Sequence, residues 1–115
     1  MKSSQFPKVV EILNVEPFKV TCLWSTGQVR VNDFTEEMNE WKIQNYELYL
    51  PLTNYTVFSS VSISEAGTLA WPAAPITFTF DNVIRTEPLD FDPIVLYETS
   101  KPLSAYRLVP VEQAA

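Results

Sequence analysis

Histidine is absent from the sequence, and only one cysteine and two glycines occur among its 115 residues. The missing histidine excludes Ser-His-Asp and Cys-His catalysis, histidine-ligated metals and the usual general base near neutral pH. A single thiol forms no intramolecular disulfide and provides no cysteine cluster for zinc. Positive charge is scarce: 8 Lys and Arg stand against 14 Asp and Glu, a net charge of −6. An acidic surface repels phosphates, so direct nucleic-acid binding is not expected. No run of about 18 apolar residues occurs, so no membrane-spanning helix is expected. Met1–Pro7 lacks the apolar run of a signal peptide. The expectation is a cytoplasmic protein.

What is present is ordinary globular material. Hydrophobic residues make up 46% and charged residues 19%, which predicts an ordered chain. The length fits a single domain over residues 1–115, with one modest core and no need of a metal or disulfide. Aromatic residues (3 Trp, 5 Tyr and 7 Phe) supply much of that core's bulk.

Period-two patterning predicts hairpins. Lys8 to Val15 reads as a strand interrupted by Glu16-Pro17. Phe18, Val20, Cys22 and Trp24 alternate onto one strand face. Ser25-Thr26-Gly27-Gln28 turns the chain, and Gln28 to Asn32 returns antiparallel. Asp33, with Glu36 at capping-box distance, starts a short helix over about 34–43. Phe34, Met38 and Trp41 form its apolar stripe. Tyr46 to Leu52 fits either a strand or an extended loop. Ser60–Ser64 alternates with Val61 and Ile63 inward, Glu65-Ala66-Gly67 turns, and Thr68–Trp71 returns with Leu69 and Trp71 inward. Pro72 and Pro75 are expected to end that pairing. Ile76–Phe80 is a further strand, and Asp81-Asn82 a tight turn into Val83-Ile84-Arg85. Asp92 caps a helical turn near 93–97 that begins at Pro93. Tyr106 to Val111 fits a late edge strand. The sum is an α+β domain, mostly antiparallel sheet with little helix.

In this order the parts resemble the bacterial family catalogued as domain of unknown function 2442, over roughly residues 8–100. The parts are Val9-Val10-Glu11, then Leu23 to Asp33 around Thr26-Gly27, then Leu52 with Phe58. Gly67 to Pro72 and Asp92-Pro93-Ile94-Val95-Leu96-Tyr97-Glu98 complete the pattern. One segment departs from it. The family joins Trp-Pro to Asp-Pro by a few residues containing Asn-Gly, whereas Ala73–Phe91 intervenes here with an apparent extra strand or hairpin. Residues 101–115 extend beyond the family-like core. The resemblance implies a small protein without assigned catalysis, similar to modules fused to helix-turn-helix domains or paired with another small protein.

The residues suggest no catalytic, metal or cofactor site. Cys22 shares an apolar face and reads as a buried thiol. Trp71, Asp90, Asp92, Tyr97 and Glu98 are the candidate interaction or ligand surface. Trp71 reads as core before it reads as a ligand-stacking ring, and Asp92 as a cap. Asn54-Tyr55-Thr56 matches a glycosylation sequon, which without a secretion signal reads as chance. The leading expectation is a non-enzymatic interaction or regulatory module that self-associates or pairs with another small protein, through the strand edges at Ile76–Arg85 and Tyr106–Val111. The alternatives are a small-ligand binder or carboxylate enzyme using Asp90, Asp92 and Glu98, and a transcription-linked regulator acting through a DNA-binding partner.

Overall fold

The computed structural model describes residues 6–105. Tyr106 to Val111 therefore lies outside the described residues. The fold is α+β, as the patterning predicts. Strands β1 (Val9–Glu16), β2 (Lys19–Trp24), β3 (Val29–Asp33) and β7 (Lys101–Pro102) form one antiparallel sheet in the order β1-β2-β3-β7. Strands β4 (Ser62–Ile63), β5 (Leu69–Phe80) and β6 (Val83–Asp90) form a second in the order β4-β5-β6. Helices α1 (Thr35–Gln44), α2 (Tyr55–Phe58) and α3 (Pro93–Thr99) connect and cover them.

The predicted β2 face is real: Val20, Cys22 and Trp24 are buried. Phe18 differs, because it occupies the β1–β2 turn at φ 67 rather than the strand. Pro17 presets the first central position of that turn, and the second then takes a left-handed conformation disfavoured for a side chain with a Cβ. Packing compensates. The Phe18 ring meets Phe58 edge-on at 5.5 Å, and its carbonyl accepts from the Phe34 N–H at 2.8 Å.

Asp33 ends β3, and its carboxylate accepts from the Thr35 N–H at 2.9 Å. The helix N-cap itself is Phe34, which has no side-chain cap bond. The expected stripe holds, with Phe34, Met38 and Trp41 all buried. Tyr46 to Leu52 is neither strand nor extended loop. Turns lead into a 3-10 segment, Leu50–Thr53, that buries Leu52. Pro51 favours this, since proline fits a first helical turn. Asn54 caps α2 by accepting from the Thr56 N–H at 2.9 Å, so the sequon residue is a helix cap.

The expected Ser60–Ser64 strand shrinks to Ser62–Ile63, and Ile63 is exposed while Val61 packs on the core. Leu69 and Trp71 are fully buried, as expected. The prolines do not end β5. Pairing with β6 breaks after Trp71↔Leu89 and resumes at Pro75↔Pro88, leaving residues 72–74 as a bulge. A strand tolerates proline at a bulge or where the nitrogen faces away from its neighbour.

The two sheets meet where the Val9 N–H donates to the Gly67 carbonyl at 2.8 Å. A Cβ on Gly67, at φ +78, would lie 2.8–2.9 Å from the Lys8 side chain. Gly27 has φ +87 but nothing within 4 Å of such a Cβ. Gly67→Ala should therefore cost about 2–3 kcal/mol, the backbone strain plus the clash, whereas Gly27→Ala should cost about 1 kcal/mol. Urea unfolding of both variants checks that order; equal losses would contradict it.

Candidate functional site

The five sequence-selected residues do not assemble into one site. Trp71 is fully buried, and its Nε1–H donates to the Phe58 carbonyl at 2.8 Å. Its ring packs against Phe34, Phe58 and Phe91. It is therefore a core residue and is not available to a surface ligand. Asp92 is occupied as the N-cap of α3, where its carboxylate accepts from the Ile94 N–H at 2.8 Å. This is the expected cap, although the helix runs on to Thr99. Asp90 ends β6 and Glu98 lies on α3, both exposed. Among the described residues no group of three or more His, Cys, Asp or Glu side chains is placed to hold a metal ion.

Tyr97 belongs to a cluster that sequence reasoning missed. Arg30 stacks over its ring at 4.6 Å, and Trp24 meets it edge-on at 5.1 Å. The Tyr97 hydroxyl donates to Gln28 Oε1 at 3.0 Å. Arg30 Nε donates to Ser100 Oγ at 2.6 Å, and its other nitrogens reach the Ser100 carbonyl and Gln28 Oε1. Asn32, buried beside it in sequence on β3, donates from Nδ2 to the Leu96 carbonyl at 2.7 Å. These bonds tie β3 to the end of α3: the Ser100 carbonyl accepts from Arg30, and the Leu96 carbonyl, which already accepts from the Ser100 N–H at 3.0 Å, takes Asn32 as well. The arrangement positions a helix and presents no reactive group. Arg30, set between Val29 and Val31 on β3, was the available signal.

A concavity of about 380 Å³ lies between the start of α1 and the end of α3, lined by Asp33, Thr35, Glu36, Glu37, Thr99 and Lys101. None of Asp90, Asp92 or Glu98 lines it. Its three carboxylates, Asp33, Glu36 and Glu37, outnumber the single Lys101 ammonium and disfavour anions.

The distinctive surface is the β5–β6 hairpin. The Asp81-Asn82 turn has positive φ at both residues, 53 and 63, the primed geometry that suits the twist of a hairpin. Phe80↔Val83, Phe78↔Arg85 and Ile76↔Glu87 pair on one face, and Thr79↔Ile84 and Thr77↔Thr86 on the other. Leu89 continues the first face into the core. Among the described residues, the outer edge of β5 beyond Ala70 has no strand partner, and β6 is the last strand of its sheet. The hairpin is thus a two-stranded arm with open edges. Phe78, Phe80, Val83 and Ile84 are exposed on it, Ile84 by 74% and Phe80 by 59%. The Cα radius of gyration, 15.8 Å, exceeds the roughly 13 Å of a compact chain of this length, as a projecting arm requires. Residues 73–91 include most of this arm.

No protein-family model matches the chain, and no similar curated protein or solved structure was found.

Two titrations report on the described groups. Burial pushes the Cys22 thiol up to about 12, so the thiolate is scarce at any physiological pH. In the native protein Cys22 should react with iodoacetamide at least about a hundred-fold more slowly than in urea. Comparable rates in the two states would show the thiol accessible. Asp90 is raised above its ordinary 3.8, first by partial burial and then by Glu87. Its folded form holds a proton more tightly than the unfolded chain. The associated stability is complete below 3.8 and is lost as pH rises through the raised value. Asp90→Asn should therefore raise the urea midpoint at neutral pH, with the difference from wild type shrinking in acid. A pH-independent difference would count against this assignment.

Proposed function

We propose that this protein is a non-catalytic protein-binding module that docks through the β5–β6 arm. The observation that carries this reading is the exposed group Phe78, Phe80, Val83 and Ile84 on a ribbon whose outer edges have no strand partner among the described residues. Isolated two-stranded hairpins are marginal in water, and open edges offer unpaired backbone donors and acceptors. Strand addition by a protein partner satisfies both needs. The absence of histidine and the burial of Cys22 remove the common nucleophile and base pairs.

The order of parts from Val9 to Glu98 supports a place beside domain of unknown function 2442, with the arm as this chain's own addition. A cytoplasmic setting belongs to the same proposal. Among the described residues, no helix is long and apolar enough to cross a membrane.

The test is a doubly substituted tip, Phe80→Ser with Ile84→Ser. Both side chains lie outside the core, so unfolding free energy should change by less than about 1 kcal/mol. Association with protein, whether self-association in sedimentation or retention of a partner on immobilised protein, should be lost. A tip variant that associates as wild type does would remove the arm from the binding surface.

A further inference from the structure

Resting on that docking reading, we propose that the arm's occupant is a second copy of this chain, paired β6 to β6 about a two-fold axis through Thr86. The geometry begins at the turn. In a two-residue primed hairpin the flanking pair, here Phe80 and Val83, exchanges ladder hydrogen bonds, and bonded and non-bonded pairs alternate from there. Arg85 and Glu87 then bond to β5, while Ile84, Thr86 and Pro88 direct their backbone groups outward. Two features agree with that parity. Thr77 and Thr86, a non-bonded pair, bring their hydroxyls within 3.1 Å, and Pro88 places its hydrogen-free nitrogen on the open side.

A two-fold axis at Thr86 uses these outward groups. Thr86 of each copy donates to and accepts from Thr86 of the other. Ile84 of each donates to the Pro88 carbonyl of the other, while the Ile84 carbonyl is left to solvent because Pro88 has no N–H to return. The same register sets Arg85 directly opposite Glu87 of the second copy, and Glu87 opposite its Arg85. The edge is thus self-complementary in charge, which is what an isologous interface requires. Val83 falls opposite Leu89 of the second copy. The axis stands perpendicular to the joined sheet, so both apolar faces lie on one side. Each exposed tip, with Phe80 and Val83, is carried against the foot of the other arm. The open edge of β5 from Ala74 to Phe80 carries no charge and lacks this complementarity.

Sedimentation equilibrium of the full chain tests the register. Wild type should dimerise. Arg85→Glu and Glu87→Arg should each weaken the dimer by about ten-fold or more, since each sets like charges opposite one another at both symmetry-related positions. The double variant Arg85→Glu with Glu87→Arg should recover, and so should an equimolar mixture of the two single variants, because opposite charges again face each other. Both side chains are exposed, so folding is not at risk. Thr86→Pro, which blocks the outward N–H but leaves the β5 pairing, should also dissociate the dimer. Wild type that stays monomeric at the highest attainable concentration would overturn the proposal, as would variants that all dimerise alike. A monomer whose tip substitutions still abolish capture of a different protein would overturn the second copy alone and leave the docking reading standing.

Discussion

The packing of the Trp71 indole is the constraint on which most of the fold depends. It is fully buried, and its one donor is satisfied by the Phe58 carbonyl. A buried indole left unpaired would cost about 1–3 kcal/mol, so this bond fixes where α2 must end relative to β5. The ring also meets Phe34, which opens α1, and Phe91, which leads to α3. Phe91 in turn stacks with Trp41 and Tyr49. Each aromatic contact adds about 0.5–1.5 kcal/mol beyond its buried area. A small domain with little helix thus draws its cohesion from a shared aromatic cluster that ties distant segments to one sheet.

Around that cluster, polar contacts set direction. Arg30 and Asn32 project from one strand and capture the carbonyls at the end of α3. The Asp92 cap satisfies the other end. Helix α3 is only Pro93–Thr99, too short to hold itself in water. Its position is a product of capping at both ends and of the buried Leu96. The residues between Asp92 and Glu98 are therefore explained by structure, and the place to look for action moves outward to the arm.

The arm exists because the bulge at residues 72–74 separates a buried half of β5 from an exposed one. On the core side, Leu69, Trp71, Ala74 and Leu89 are enclosed. Beyond Pro75, Ile76 still packs on the core, and past it Phe78 and Phe80 carry the alternation out to exposed positions. On that face Phe78, Phe80 and Val83 stand beside Arg85 and Glu87, so exposed apolar and charged side chains are interspersed.

Much of this was legible in the residues. Alternation at Val20, Cys22 and Trp24 located a core strand, and Asp92-Pro93 located a helix start, because both signals are local and act through immediate neighbours. The Asp81-Asn82 turn was legible for the same reason. Other features were not. Phe18 left the strand pattern because a proline turn and two aromatic neighbours hold it at a positive φ. Tyr46 to Leu52 lacked a period, and its 3-10 segment is fixed by burial of Leu52. The prolines of β5 were misleading because their tolerance depends on which edge of the strand faces a neighbour, and only the sheet order decides that. The role of Arg30 required α3 to be brought back across the sheet. By itself the sequence determined the hairpins, the helix stripe and the exclusion of histidine chemistry, all set by short-range patterning and composition. The sequence already placed Trp71 inward; the tertiary structure alone decided that Arg30 and Asn32 reach the end of α3 and that Phe78, Phe80, Val83 and Ile84 face solvent, because burial is a property of what long-range packing brings near.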